Sequence, residues 1–377
     1  MGTLRFIYVI TFLLGHIYSM FGFRYHELAS SPIAYESFFM LSGFFITLVW
    51  EKEYGVAEKG YLKFLLRRIL RIMPVYWLVL ILSIVISFIS WRLFQEPLLL
   101  QSYLQHWDDL NWNVKAYLIF ANLFILGQEA LFYVKIDYTS GCFQWSQQFI
   151  DGDPPLHTFL FVSQAWMISF IFYFYLIAPL LCRLKSHWLV LLSAVLIAAR
   201  FIGYRMGYDY EPWVYHFYPF EFVFFLFGML SSRIYLRYTE VFARYKKPGF
   251  VLFVFIAVLT CMLDAISLPA FTIQRAYYTL LFFTMPIILE ATSGNKWDSY
   301  LGQLTYPLYI SNFIVIKIIE TQHIENRAVL MISFFAASIL LSMFLLKYFN
   351  QPIDRYVKRW LLRPARTDRR IALFSDS

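Results

Sequence analysis

An all-α polytopic membrane protein is the fold class that the 377-residue chain predicts. Three observations carry the prediction: the composition, the spacing of apolar runs and the sidedness of the charges. Hydrophobic residues make up 60% of the chain, aromatics 21% and charged residues 15%, against roughly 45–50% apolar and about 25% charged in soluble domains. A soluble fold cannot keep that much apolar surface from water. The composition also excludes disorder. The three cysteines, Cys142, Cys182 and Cys261, show neither CxxC nor Cys/His spacing, so they read as buried small hydrophobes. The net charge of +8 comes with no groove-reading motif, which favours a lipid partner over nucleic acid.

A span needs roughly 20 mostly apolar residues to cross about 30 Å of hydrocarbon. Ten runs qualify, at 5–22, 35–50, 70–90, 157–181, 187–204, 214–233, 250–268, 272–290, 301–320 and 327–348. The first lacks a small-x-small cleavage site and is interrupted by His16, so it reads as a retained span and not a signal peptide. The run 117–126 is too short to cross. It is expected to be a re-entrant or interfacial segment within one long loop, 91–156. With both termini in the cytoplasm, 23 of the 32 Lys and Arg residues fall on the inner side and eight on the outer, Lys317 lying within a span. That bias supports ten spans with both ends inside and an outward-facing, acidic loop 91–156. Residues 1–350 then form one membrane domain and 351–377 a basic cytoplasmic tail. No internal repeat is visible, which weighs against an inverted-repeat transporter.

Three constellations could carry chemistry. Arg5 and His16 are eleven residues apart. Eleven steps of about 100° overshoot three turns by only about 20°, and the rise is about 16 Å, so both lie on one helix face at different depths. An ionisable group inside a bilayer marks a site, and neutral imidazole suits general-base work. A hydrogen-bonded structural histidine with a snorkelling arginine is the alternative. The second constellation is Arg67, Arg68 and Arg71, at the inner start of the third span. Clustered guanidinium forks match phosphate oxygens, although flanking positive-inside charge has the same pattern. The third is Ser42-Gly43 amid aromatics, which reads as close helix packing in the absence of a GxSxG nucleophile motif.

Arg5-x10-His16, then Phe39-Met-Leu-Ser-Gly-Phe44, then Arg67-Arg-Ile-Leu-Arg71-Ile-Met-Pro74-Val-Tyr76 resembles the membrane acyltransferase family three, which includes O-antigen and exopolysaccharide O-acetylases. Trp166-Met-Ile-Ser169 with Phe174-Tyr175-Leu-Ile-Ala-Pro179, Phe225-Leu-Phe-Gly228 and Leu301-Gly-Gln-Leu-Thr-Tyr306-Pro-Leu308-Tyr309 are similar to later elements of that family, in order. The resemblance implies a ten-span O-acyltransferase of the bacterial inner membrane. The donor is an acyl-CoA, usually acetyl-CoA, arriving from the cytoplasm, and no cofactor is permanently bound. The acceptor is a hydroxyl of a surface polysaccharide or lipid-linked sugar. Carried over by position, Arg5 and His16 match the functional pair and Arg68 and Arg71 the element that meets CoA phosphates, with Arg67 beside them. Four places depart from the family's common pattern: Gly2, Ile171-Phe172, Asn312 and Asn350. A polysaccharide or glycan exporter is the alternative function, and a structural subunit of a synthase a weaker one.

Other polar groups fall within or beside the spans. Glu221, Asp264, Arg200, Arg205 and Arg275 are candidates for a buried network or a substrate contact. His26, His106, His157, His216 and His323 show no metal-ligand spacing. Trp107, Trp112 and the stretch Trp213–Tyr218 read as interfacial belts or as faces for stacking a sugar ring.

Overall fold

The computed structural model of the chain describes residues 1–21, 31–55, 60–148, 151–263 and 270–361. Arg24, His26, Lys59, Asp264 and the tail beyond 361 lie outside the described residues. The chain is a helical bundle, and each of the ten apolar runs overlaps a helix. They are α1 (Gly2–Phe21), α2 (Ser31–Val49), α3 (Gly60–Phe94), α6 (Trp166–Arg183), α7 (Ser186–Arg205), α8 (Tyr218–Arg237), α10 (Lys246–Met262), α11 (Ala270–Thr292), α12 (Lys296–Glu320) and α13 (Arg327–Leu345). Six helical segments, built on α2, α3, α6, α7, α8 and α13, are long and apolar enough to cross a membrane. Short helices α4 (Gln101–His106), α5 (Trp112–Phe124), α9 (Thr239–Arg244) and α14 (Gln351–Leu361) complete the set.

The centre of the bundle is the α2–α8 pair, which runs in parallel at backbone contact. A Cβ on Gly43 would lie 2.1 Å from the Phe225 carbonyl oxygen, and one on Gly228 2.0 Å from that of Met40. The two glycines remove the side chains that would hold these helices apart. Ser42 donates to the Phe38 carbonyl of its own helix at 2.8 Å, so Ser42-Gly43 is a packing element, as its setting in the sequence predicts. Phe39 and Phe174 stack on the two sides of Phe225, at 4.7 and 4.4 Å between centroids.

Helix boundaries differ from the apolar runs where side chains or proline compete with the helix. The fourth run is predicted to begin at 157, yet α6 begins at Trp166. Residues 156–165 form two 3-10 turns instead, because the Asn122 amide satisfies that backbone: it accepts from Phe161 N at 3.0 Å and donates to the Phe159 carbonyl at 2.9 Å. The start of α8 shifts from 214 to Tyr218, with Pro219 in its first turn, where a missing N–H costs nothing. At the other end of the chain, α13 continues through a π-turn, Leu346–Asn350, into α14. Helix α14 packs on α3, so the first part of the basic tail is docked.

The long segment after α3 has its own small core around Leu118, Phe159 and Leu160 and carries the one β-hairpin among the described residues, β1 (Val134–Asp137) and β2 (Cys142–Trp145). The all-α prediction omits this hairpin. Its turn, Thr139-Ser140-Gly141, places Gly141 at φ +67°, and the hydroxyls of Thr139 and Ser140 hold the Asp137 carboxyl below its ordinary value. Helix α5 contains most of the short run 117–126. Its end is held by the middle of α3: Tyr76 donates to the Asn122 carbonyl at 2.5 Å and Trp77 Nε1 to that of Leu123 at 2.8 Å. Trp77 is thirteen residues, about 20 Å along the helix, from the predicted outer boundary of its span. Phe120, Leu123 and Phe124 are exposed on α5. The chain turns after α5 at Gly127, φ +84°.

Gly228→Ala is expected to lower the thermal unfolding midpoint of the detergent-solubilised protein, by an overpacking cost of about 1–3 kcal/mol, while Ser42→Ala leaves it within error. Equal midpoints for Gly228→Ala and wild type would contradict the α2–α8 backbone contact.

Candidate active site

His16 sits on α1, half-buried, against the Phe12 ring at 4.1 Å between centroids. Its Nδ1 is 3.1 Å from Asn312 Oδ1 on α12. The roles in that contact follow from a second bond: Asn312 Nδ2 lies 2.5 Å from the Tyr309 carbonyl oxygen. A carbonyl can only accept, so the Asn312 nitrogen faces it and the Asn312 oxygen faces His16. That oxygen can only accept in turn. His16 Nδ1 therefore carries the proton, and in the neutral ring Nε2 presents a lone pair. Asn312 thus stands to His16 as an orienting group stands to a general base.

Asn312, one of the departures from the family's common pattern, is a residue whose role sequence reasoning missed. The polar side chain inside an apolar run was the available signal. Its surroundings hold it in place. Gln164 Nε2 donates to the Ile310 carbonyl at 2.9 Å, and the Tyr309 hydroxyl donates to the Gln164 carbonyl. The segment before α6 is thereby tied to the site helix. Tyr309 and Tyr35 also pack on Phe12, so the base is walled by aromatic rings.

Arg5 lies eleven residues before His16 on the same face of α1. Its guanidinium carbon is 4.2 Å from the Phe45 ring centroid, and its Nε is buried without a hydrogen-bond partner. The charges of Arg71 and Arg68 act on Arg5, as does Tyr175. Arg68 lies over Phe64 and Tyr175, at 5.5 and 5.6 Å. α3 starts at Gly60, so these arginines stand on regular helix in i, i+3 relation and not on a loop. The three cations, with Asp298 acting on Arg5 and Asp354 on Arg71, gather positive charge that can receive an anion. Arg67, whose charge also acts on Arg71, is engaged by an acid. Its Nη1 donates to Glu53 Oε2 at 2.7 Å and to the Tyr54 hydroxyl at 2.8 Å, tying α3 to the π-turn Trp50–Tyr54 that follows α2.

The remaining candidates are placed elsewhere. Arg200 joins Glu221, at 3.4 Å, and also Glu36 of α2, at 2.5 Å. Glu36 is absent from the sequence-based set although it is an acid embedded in an apolar run. Tyr278 donates to Glu36 as well, so this network crosslinks α2, α7, α8 and α11. Arg205 is exposed at the end of α7, and Arg275 is exposed on α11. His106 is 3.7 Å from Asp109, His157 and His216 pack on Phe132, and His323 occupies a positive-φ turn after α12.

The tautomer of His16 is open to direct test. In protein labelled with 15N-histidine, solid-state NMR is expected to show a ring protonated at Nδ1 and unprotonated at Nε2. Asn312→Leu, which removes the acceptor, is expected to give a mixture of tautomers. A ring protonated at Nε2 in the wild type would contradict the assignment.

Comparison with known proteins adds the family. A family model described as an acyltransferase domain matches residues 2–347, nearly the whole chain. No curated protein and no solved structure matches it. His16, Arg5 and the arginines of α3 all lie within the matched residues, and the chain belongs to acyltransferase family three.

Proposed function

We propose that this membrane acyltransferase moves an acetyl group from cytoplasmic acetyl-CoA to a hydroxyl of a surface polysaccharide or lipid-linked sugar, with ten spans in the bacterial inner membrane and both termini inside. One observation carries the reading: the hydrogen-bond chain Tyr309–Asn312–His16 leaves a lone pair on Nε2, on the helix face that carries Arg5 about 16 Å away. The acceptor binds from the far side and the donor from the cytoplasm.

Nε2 of His16 takes the proton of the acceptor hydroxyl as its oxygen attacks the thioester carbonyl. The carbon–sulfur bond then breaks, CoA leaves as the thiolate, and the imidazolium returns the proton to sulfur. General-base assistance of this kind is worth roughly 10²–10⁴ in rate. The site requires a dry passage, because water at the activated acyl carbon would hydrolyse it. The aromatic wall of Phe12, Tyr35 and Tyr309 supports that exclusion. Arg5, Arg68 and Arg71 receive the CoA phosphates, and the cation–aromatic contacts of Arg5 and Arg68 hold two of these cations ready. Arg67, engaged by Glu53, positions the helix that presents the other two. The exporter alternative assigns no task to the lone pair on His16.

Purified protein given radiolabelled acetyl-CoA and a glycan acceptor tests the proposal. His16→Ala is expected to lower turnover at least 100-fold while the protein keeps a cooperative thermal transition. Asn312→Leu is expected to lower kcat about 10-fold or more with KM for acetyl-CoA kept. Arg68→Gln and Arg71→Gln should raise that KM with a smaller effect on kcat. Acyl transfer that survives His16→Ala unchanged would sink the assignment.

A further inference from the structure

Lys317 is a charge inside an apolar run to which the mechanism above gives no task. It stands in the run 314–319 of α12, with its side chain 23% exposed. An ionisable group placed so in lipid is costly and marks a site. Its Nζ donates to Glu320 Oε2 at 2.8 Å and lies 5.9 Å from the centroid of the Phe313 ring. Phe313 in turn packs edge to face with His16, at 6.4 Å between centroids. One aromatic ring therefore separates this ion pair from the base.

Helical spacing turns these contacts into a ladder. Tyr309, Phe313, Lys317 and Glu320 are four, four and three residues apart, which puts them on one face of α12. On α1, Phe12 and His16 are also four apart. Phe12 pairs with Tyr309 at 5.1 Å, and His16 with Phe313. Exposure rises along the stripe. Tyr309 is buried, Phe313 and Lys317 are half-buried, and the Glu320 side chain is 44% exposed. From Phe313 to Glu320 the rise is about 11 Å, toward the end of α12 away from Arg5. The stripe thus leads from the base to the surface opposite the arginine cluster. Helix stability does not account for the pair at its outer end. An acid in the last turn opposes the helix dipole, and a partly exposed pair contributes little.

We propose that Phe313, Lys317 and Glu320 form the acceptor subsite, holding an uncharged sugar ring beside His16, an inference that rests on the acyl-transfer reading above. Each sugar hydroxyl is one donor and two acceptor lone pairs. Lys317 supplies only donors and ionised Glu320 only acceptors, so the pair answers both roles of a hydroxyl. Its charges sum to zero, so an anionic ring gains from Lys317 what it loses to Glu320. Phe313 supplies an apolar face for the C–H side of the ring. It also sets that ring next to the imidazole that takes the hydroxyl proton.

Polysaccharide from the producing cells, freed of acyl groups by alkali, size-fractionated and tritiated at the reducing end, is the probe. Its binding to the full-length detergent-solubilised protein is measured without donor, and its acetylation by acetyl-CoA in parallel. Lys317→Met and Glu320→Gln are each expected to weaken binding and raise the acceptor KM at least 10-fold, with KM for acetyl-CoA unchanged. His16→Ala is expected to bind the probe as wild type does while transfer is lost. Reducing any uronate carboxyls of the probe to alcohols should change binding less than twofold. If one variant loses its cooperative thermal transition, the other decides, and the carboxyl-reduction comparison needs neither. Wild-type transfer with an unchanged acceptor KM in both variants would overturn the subsite, and a 10-fold loss of binding on carboxyl reduction would overturn the uncharged ring. Probe binding that depends on Lys317, in a wild type that transfers nothing, would uphold the saccharide subsite and overturn the transfer reading instead. A wild type that neither binds nor acetylates the probe overturns both.

Discussion

The parallel seam between α1 and α12 is the constraint on which the site depends. At one end Asp298 accepts from the backbone N–H groups of Gly2 and Thr3, at 2.8 and 2.9 Å, so a carboxylate from one helix caps the positive end of another. At the other end His16 meets Asn312. Both intervals, Gly2 to His16 and Asp298 to Asn312, are fourteen residues, or two heptads. Fourteen residues return each helix to nearly the same face after about 21 Å, so a seam pinned at both ends has one register. Slipping it by a single residue would turn Asn312 away from the imidazole by about 100°.

This seam also explains one departure from the family's usual sequence. The position three residues before Arg5 often carries Asp, and here it is Gly2. A Cβ on Gly2 would lie 1.9 Å from the Asp298 carbonyl oxygen, and Gly302 packs against the Gly2 backbone from the opposite helix. An acidic side chain has no room there. Asp298 supplies the carboxylate at the start of α1 from across the seam. The common histidine after the span-nine Leu-Tyr element is likewise replaced by Asn312, which cannot change charge with pH. An asparagine carbonyl fixes the tautomer of His16 without itself competing for the proton.

Much of the architecture was legible because a bilayer imposes it. Backbone groups in lipid must be satisfied within the helix, so apolar runs of the right length announce helices, and each of the ten runs overlaps one here. The Arg5–His16 spacing was legible for the same reason, since helical periodicity alone sets a shared face. What escaped was decided by side chains distant in sequence. The start of α6 is set by Asn122, about forty residues earlier. The role of Asn312 depends on a ring 296 positions away. Arg67 and Arg71 are indistinguishable in a basic run, and only the Glu53 contact separates the one that holds a turn from the one beside Arg5. Glu36 is hidden by the density of aromatics around it, and its partner Arg200 comes from α7.

The two polar systems of the bundle differ in a way that bears on their tasks. The Glu36–Arg200–Glu221 network sets two carboxyl groups against one guanidinium. Breaking one member would leave a buried charge unpaired, at a cost of several kcal/mol. It crosslinks four helices. The His16 chain is neutral, and each of its bonds uses a donor or acceptor that cannot change role, except Nε2. A neutral chain with one open lone pair can accept a proton and return it without rearranging its supports, which is what a base buried among aromatic rings requires. The charged network is thus the scaffold, and the chemistry falls to the uncharged one.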